Sequence, residues 1–114
     1  MVKKQKYIPV RGDILWLEFS PKMGHEQVGR RPALCISPLK YNKKVGLAIF
    51  CPITSKIKGY PFEVKLPDEL NINGVVLADQ IKNLDWKRRK ADFICKLPIE
   101  YINIILGKIK ILIL

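Results

Sequence analysis

Phe62-Glu63-Val64-Lys65-Leu66 alternates apolar and charged side chains without a break. Successive side chains of a strand point to opposite faces, so this run reads as a strand with one face inward and one face in solvent. Such a strand needs a sheet around it, and the chain supplies partners on both sides. Upstream, Val45 to Phe50 is almost wholly apolar and predicts a central strand. Pro52-Ile53-Thr54-Ser55 follows it and brings two hydroxyls to a strand end. Ala33-Leu34-Cys35-Ile36, entered through Pro32, reads as an edge strand or a strand start, because proline cannot donate to a ladder. Tyr41-Asn42-Lys43-Lys44 between them reads as a turn, and Asp13 to Phe19 as the first strand. Ser20 to Arg30 is polar, contains glycine, and predicts a long loop.

Downstream, Pro67 to Asn73 predicts a loop and Gly74 to Ala78 resumes the sheet. Gln80 to Trp86 alternates more loosely, and Phe93 to Leu97 makes a last short strand. Pro98 opens the one helical candidate, reaching about Leu112, with Tyr101, Ile102, Ile105, Ile109 and Leu112 near 3.6-residue spacing. Lys108 to Leu114 also alternates as a strand would, so periodicity leaves that segment open. The expectation is a single domain over residues 1–114, mainly β: an antiparallel barrel of about five to seven short strands with a C-terminal α-helix.

Composition restricts the function. The chain has 114 residues, enough for one core, and a mean hydropathy near zero. Its net charge is +11, and residues 1–60 hold most of it, with 12 basic and three acidic side chains. A basic half on so small a domain predicts an anionic partner, a nucleic acid or a strongly acidic protein. The basic start lacks an apolar signal core, and the apolar C-terminus is broken by Gly107, Lys108 and Lys110. A cytoplasmic chain without membrane attachment is therefore expected. Cys35, Cys51 and Cys95 are odd in number and lack CxxC spacing, which reads as buried free thiols rather than a disulfide framework or zinc site. With one histidine, no His-based metal cluster can assemble, so no metal or cofactor is expected.

Gly24-His25-Glu26-Gln27-Val28-Gly29-Arg30-Arg31-Pro32 concentrates an imidazole, a carboxylate, an amide and two guanidinium groups in one loop. Lys56 and Lys58 precede Tyr60 and Phe62, and cations interleaved with aromatics suit single-stranded nucleic acid. RNA scission needs a base for the 2′-hydroxyl, charge on the phosphorane and a proton for the leaving oxygen. Arg31 and Thr54 can meet the second need, and Glu26 or His25 the first. There is no Gly-rich phosphate loop and no nucleophile–histidine pair with a carboxylate orienter.

Gly12-Asp13-Ile14-Leu15-Trp16, the Gly24-to-Pro32 loop, Pro52-x-Thr54-Ser55, Lys58 to Val64, and Leu77-Ala78-Asp79-Gln80-x-Lys82-x-x-x-Trp86 together resemble the MazF/PemK/Kid toxins, closest to the MazF branch. The resemblance runs from about Tyr7 to the C-terminus. It implies an SH3-like antiparallel barrel of the CcdB/PemK kind and a homodimer. It also implies a metal-independent, sequence-specific endoribonuclease of a type II toxin–antitoxin system, cutting single-stranded RNA and so inhibiting translation. By this resemblance Arg31 and Thr54 are the catalytic pair, with Glu26 and His25 assisting. Gln27, Ser55, Lys56, Lys58, Tyr60, Phe62, Asp79 and Gln80 are the expected RNA contacts. Leu77 stands where the PemK/Kid branch carries an arginine, so the Kid acid–base scheme does not transfer whole. The implied partner is an acidic, MazE-like antitoxin lying in the RNA groove, with operator DNA bound only by the toxin–antitoxin complex. Two other readings fit a basic barrel: a non-enzymatic gyrase-poisoning toxin resembling CcdB, and a plain RNA-binding module.

Overall fold

A computed structural model describes residues 6–19 and 29–114. Seven strands and two helices follow one another along the chain. They are β1 (Asp13–Glu18), β2 (Arg30–Cys35), α1 (Leu39–Val45), β3 (Ala48–Thr54), β4 (Glu63–Lys65), β5 (Val75–Leu77), β6 (Lys82–Leu84), β7 (Asp92–Lys96) and α2 (Ile99–Ile113). The strands form one antiparallel sheet in the order β4-β5-β3-β2-β1-β7, with β6 also paired to β3. The fold is mainly β with a C-terminal helix, as the succession of short strands and the helical spacing after Pro98 predict.

β3 is the pivot of the sheet. On one edge it pairs with β2; on the other its first half pairs with β6 (Ala48 with Leu84, Phe50 with Lys82). Its end pairs instead with β5 (Ile53 with Val76, Thr54 with Val75). One strand feeding two divergent neighbours bends the sheet into a barrel-like form. β3 thus runs to Thr54 rather than stopping at Phe50. Pro52 is tolerated inside it because it falls where β3 changes partners, between the two outer ladders.

The pleat sends alternate residues to two cores. Ile14, Leu34, Ile36, Cys51 and Ile53 face one side, where Val64, Leu66, Val76, Ala78 and Leu97 join them beneath α2. Ile102, Ile105 and Ile109 form the buried stripe of α2, each worth about 1.5–3 kcal/mol when taken from water. That stripe continues through Ile109, so residues 108–113 are helical and the strand alternative is set aside. Leu15, Leu17, Ala33, Cys35, Ala48 and Phe50 face the other side under Trp86, Phe19 and Tyr7.

Some elements depart from expectation: β2 lies between β3 and β1 and begins at Arg30, so Pro32 is neither on an edge strand nor at a strand start. Tyr41–Lys44 is not a turn but the centre of α1, which starts after Pro38 and ends at Gly46 in the left-handed conformation. The proline-before, glycine-after punctuation was present in the sequence. The decisive residue is Asn42, fully buried. Its amide donates to the Pro9 carbonyl at 2.7 Å and its backbone carbonyl accepts Trp86 Nε1 at 3.2 Å. Asparagine is neutral to unfavourable in a helix, and here the tertiary hydrogen bonds outweigh that preference. The expected strand over Gln80 to Trp86 shortens to β6, because Asp85 Oδ1 accepts the N–H groups of Lys87 and Arg88 and turns the chain.

Candidate active site

β2 and β3 pair Ala33 with Pro52 and Leu34 with Cys51. Arg31 and Thr54 lie two residues beyond the last of these pairs, at the same end of the two strands, although 22 residues separate them in the chain. Both belong to the face that carries Leu17, Ala33 and Phe50, and Leu17 is Arg31's partner in β1. A guanidinium and a hydroxyl are therefore carried at one end of the β2–β3 pair.

The two adjacent arginines part company here. Arg30 contacts Asp92 at 3.3 Å and lies over the Trp16 ring at 5.9 Å. Arg31 points to the opposite face, is exposed, and its side chain makes no hydrogen bond to another described residue. The pleat alone separates a structural arginine from one available to a ligand.

Thr54 is oriented from both sides. Lys56 N–H donates to Thr54 Oγ1 at 3.1 Å, occupying a lone pair and leaving the hydroxyl proton free to donate outward. Behind it, Gly74 has φ +126° and approaches the Thr54 backbone so closely that a Cβ there would collide with the Thr54 carbonyl oxygen. Neither Gly74 nor the hydrogen bond to Lys56 was singled out in the sequence, since both arise only from the meeting of β3 and β5.

His25, Glu26 and Gln27 lie outside the described residues. The ends of their segment are joined, with Phe19 N–H donating to the Gly29 carbonyl at 2.7 Å. Arg89 Nη1 braces the same corner through the carbonyls of Glu18 and Phe19, at 2.9 and 3.1 Å.

Ser55, Lys56 and Lys58 are exposed beyond Thr54. Tyr60 donates its hydroxyl to Asp79 Oδ1 at 3.2 Å. Burial, then this hydrogen bond, hold its phenol above the ordinary value and keep it a donor. Gln80 is exposed beside it, whereas Phe62 packs against the core beneath α2. Burial pushes the Cys51 thiol up to about 12 and raises Cys35 and Cys95, so these sulfurs stay protonated at neutral pH and are poor nucleophiles. Among the described residues no three His, Cys, Asp or Glu side chains gather into a metal-binding group.

The family described as "PemK-like, MazF-like toxin of type II toxin-antitoxin system" matches residues 10–113. This chain belongs to it. The endoribonuclease toxin MazF of Escherichia coli K12 is 43% identical over 108 residues, spanning 95% of this chain and 96% of that protein. Endoribonuclease EndoA of Bacillus subtilis is 33% identical over 102 residues, spanning 82% and 84%. Among solved structures, MazF of Deinococcus radiodurans superposes with a TM-score of 0.86 at 48% identity, covering 95% and 98% of the two chains. A MazE–MazF complex from the same organism superposes at 0.85 with 44% identity, covering 95% and 97%. In this PemK/MazF-like toxin, Arg31 and Thr54 lie at one end of β2 and β3, and the exposed Ser55, Lys56 and Lys58 follow Thr54 in the chain.

Proposed function

We propose that this chain is a toxin endoribonuclease that cuts single-stranded RNA at specific sequences, needs no metal, and blocks translation in the cytoplasm. The endoribonuclease class follows from its family membership and from relatives that carry that name. The observation that supports the residue assignment is that Arg31, near the start of β2, and Thr54, at the end of β3, lie at the same end of two paired strands. Their donors would meet a scissile phosphate at that strand end. The 2′-oxygen attacks phosphorus, a new P–O2′ bond forms and the P–O5′ bond breaks. The 2′-proton passes to a base, His25 or Glu26, and a proton reaches the departing 5′-oxygen. Arg31 and Thr54 hold the charge that builds on the non-bridging oxygens, the role a metal would otherwise fill. Gln27, Ser55, Lys56, Lys58, Tyr60, Asp79 and Gln80 would line the path of the strand, with Phe62 supporting it from the core side.

The test is to incubate the protein with a long RNA in the presence of EDTA and map the 5′ ends. Discrete cuts ending in a 2′,3′-cyclic phosphate are expected; RNA bound but uncut would overturn the proposal. His25→Ser, followed from pH 5 to 9, loses one limb of the rate profile if the imidazole is the base, and keeps it if Glu26 is. Neither the gyrase-poisoning reading nor the plain RNA-binding reading finds support among the relatives, which are named endoribonucleases.

A MazE-like antitoxin with an acidic segment fits the +11 charge, since such a segment would fold onto the basic rim and exclude RNA. Operator DNA would be bound by the toxin–antitoxin complex. The chain would act as one domain paired with a second copy. On α2, Ile104, Ile111, Leu112 and Ile113 are exposed outside the buried stripe, Ile111 by 75%. So much apolar surface on one short helix points to a partner. Light scattering at micromolar concentration is expected to give twice the 13.1 kDa chain mass; a monomer there would remove the dimer from the proposal.

A further inference from the structure

The loop from Ser55 to Phe62 is tied down at three points. Glu63, the first residue of β4, accepts the Lys58 N–H at Oε2 (2.9 Å) and the Gly59 N–H at Oε1 (2.8 Å). Asp79 accepts the Tyr60 hydroxyl, and Lys108 on α2 donates to the Pro61 carbonyl at 2.7 Å. Gly59 has φ +83°, a conformation open to glycine, and this turns two successive N–H groups toward one carboxylate. A negative side chain beside a phosphate-binding surface would ordinarily repel its ligand. Here both of its oxygens are occupied by backbone donors.

We infer that Glu63 is a positioning residue for RNA: its carboxylate holds the Lys58–Gly59 backbone and so sets where the Lys58 ammonium and the Tyr60 ring meet the strand. This rests on the nuclease reading above. A loop ordered before binding loses less freedom when RNA arrives, so the clamp acts on affinity. It acts little on chemistry, because Arg31 and Thr54 are placed by β2 and β3, and the Glu63 carboxylate touches neither strand. It acts little on stability, because water can replace the carboxylate at these solvent-facing N–H groups.

The experiment uses an RNA oligonucleotide spanning a cut site mapped with the wild-type protein. It compares wild type, Arg31→Ala, Glu63→Ala and Glu63→Gln for KM, kcat and melting temperature. Glu63→Ala should raise KM about tenfold while kcat stays within about twofold, since only pre-ordering of the loop is lost. Glu63→Gln should lie between, because its amide oxygen accepts one N–H while its NH₂ group faces the other. The melting temperature should move by less than about 3 °C, as expected for the loss of solvent-replaceable hydrogen bonds. An unchanged KM, a fall confined to kcat, or activity lost in step with melting temperature would each overturn the clamp. With wild type cutting and Arg31→Ala inactive, such a result counts against Glu63 alone. If wild type leaves the RNA whole, the nuclease reading falls and the clamp with it.

Discussion

Arg31→Lys should lose about 10²–10³-fold in kcat, nearly as much as Arg31→Ala, with the melting temperature unchanged. The guanidinium offers a planar fork of N–H donors that can bind two phosphate oxygens at once, and an ammonium on a flexible stem cannot reproduce it. Stability should be indifferent because the Arg31 side chain is exposed and makes no hydrogen bond to another described residue. The neighbouring Arg30→Lys is the internal comparison. Its side chain is turned to Asp92 and Trp16 on the other face, so its loss should leave cleavage within a few-fold of wild type. Single-turnover cleavage of a mapped RNA checks both. Arg31→Lys within a few-fold of wild type, or Arg30→Lys inactive to the same degree, would contradict the assignment drawn from the pleat.

Gly74→Ala should cost stability and activity together. The backbone at φ +126° disfavours any Cβ, and the added methyl meets the Thr54 carbonyl oxygen, a backbone atom with no rotamer to yield. Conformational strain of this kind costs on the order of 1–3 kcal/mol, which for a domain of this size lowers the melting temperature by roughly 5–15 °C. Relief requires β5 to move away from the end of β3, which disturbs the placement of Thr54. Cleavage measured well below the melting transition should therefore fall at least about tenfold beyond what unfolding explains. Gly46→Ala is the contrast: its Cβ meets nothing within 4 Å, so only the positive φ is penalised and cleavage should persist. Equal cleavage by the two variants below their transitions would show that the approach to Thr54 carries no function.

Strands were legible wherever one residue pattern served one environment. Phe62–Leu66 alternates because one face meets the core and the other meets water. Asp13–Phe19 was legible for a different reason: its apolar content is high because both faces of the sheet there are covered. α1 was misread because Asn42 and its lysines look like turn chemistry. What makes them helical is the buried polar network reaching back to Pro9 and forward to Trp86. The split pairing of β3 was invisible for a related reason, since two ladders on one edge need strands 20 to 30 residues downstream.

The residue types in the chain determined the charge sign, the class of partner, the mainly β architecture and, through motif order, the family. They also singled out Arg31 and Thr54 as the groups that can hold a phosphorane. Only the tertiary structure decided that these two sit at one end of neighbouring strands, that Arg30 is turned away, that Gly74 backs Thr54, and that Glu63 serves the Lys58–Gly59 backbone. The physical reason is that type and local spacing set what a side chain can do. Cross-strand register, with its period of two, sets which side chains share a face, and register is a property of strands that meet in space.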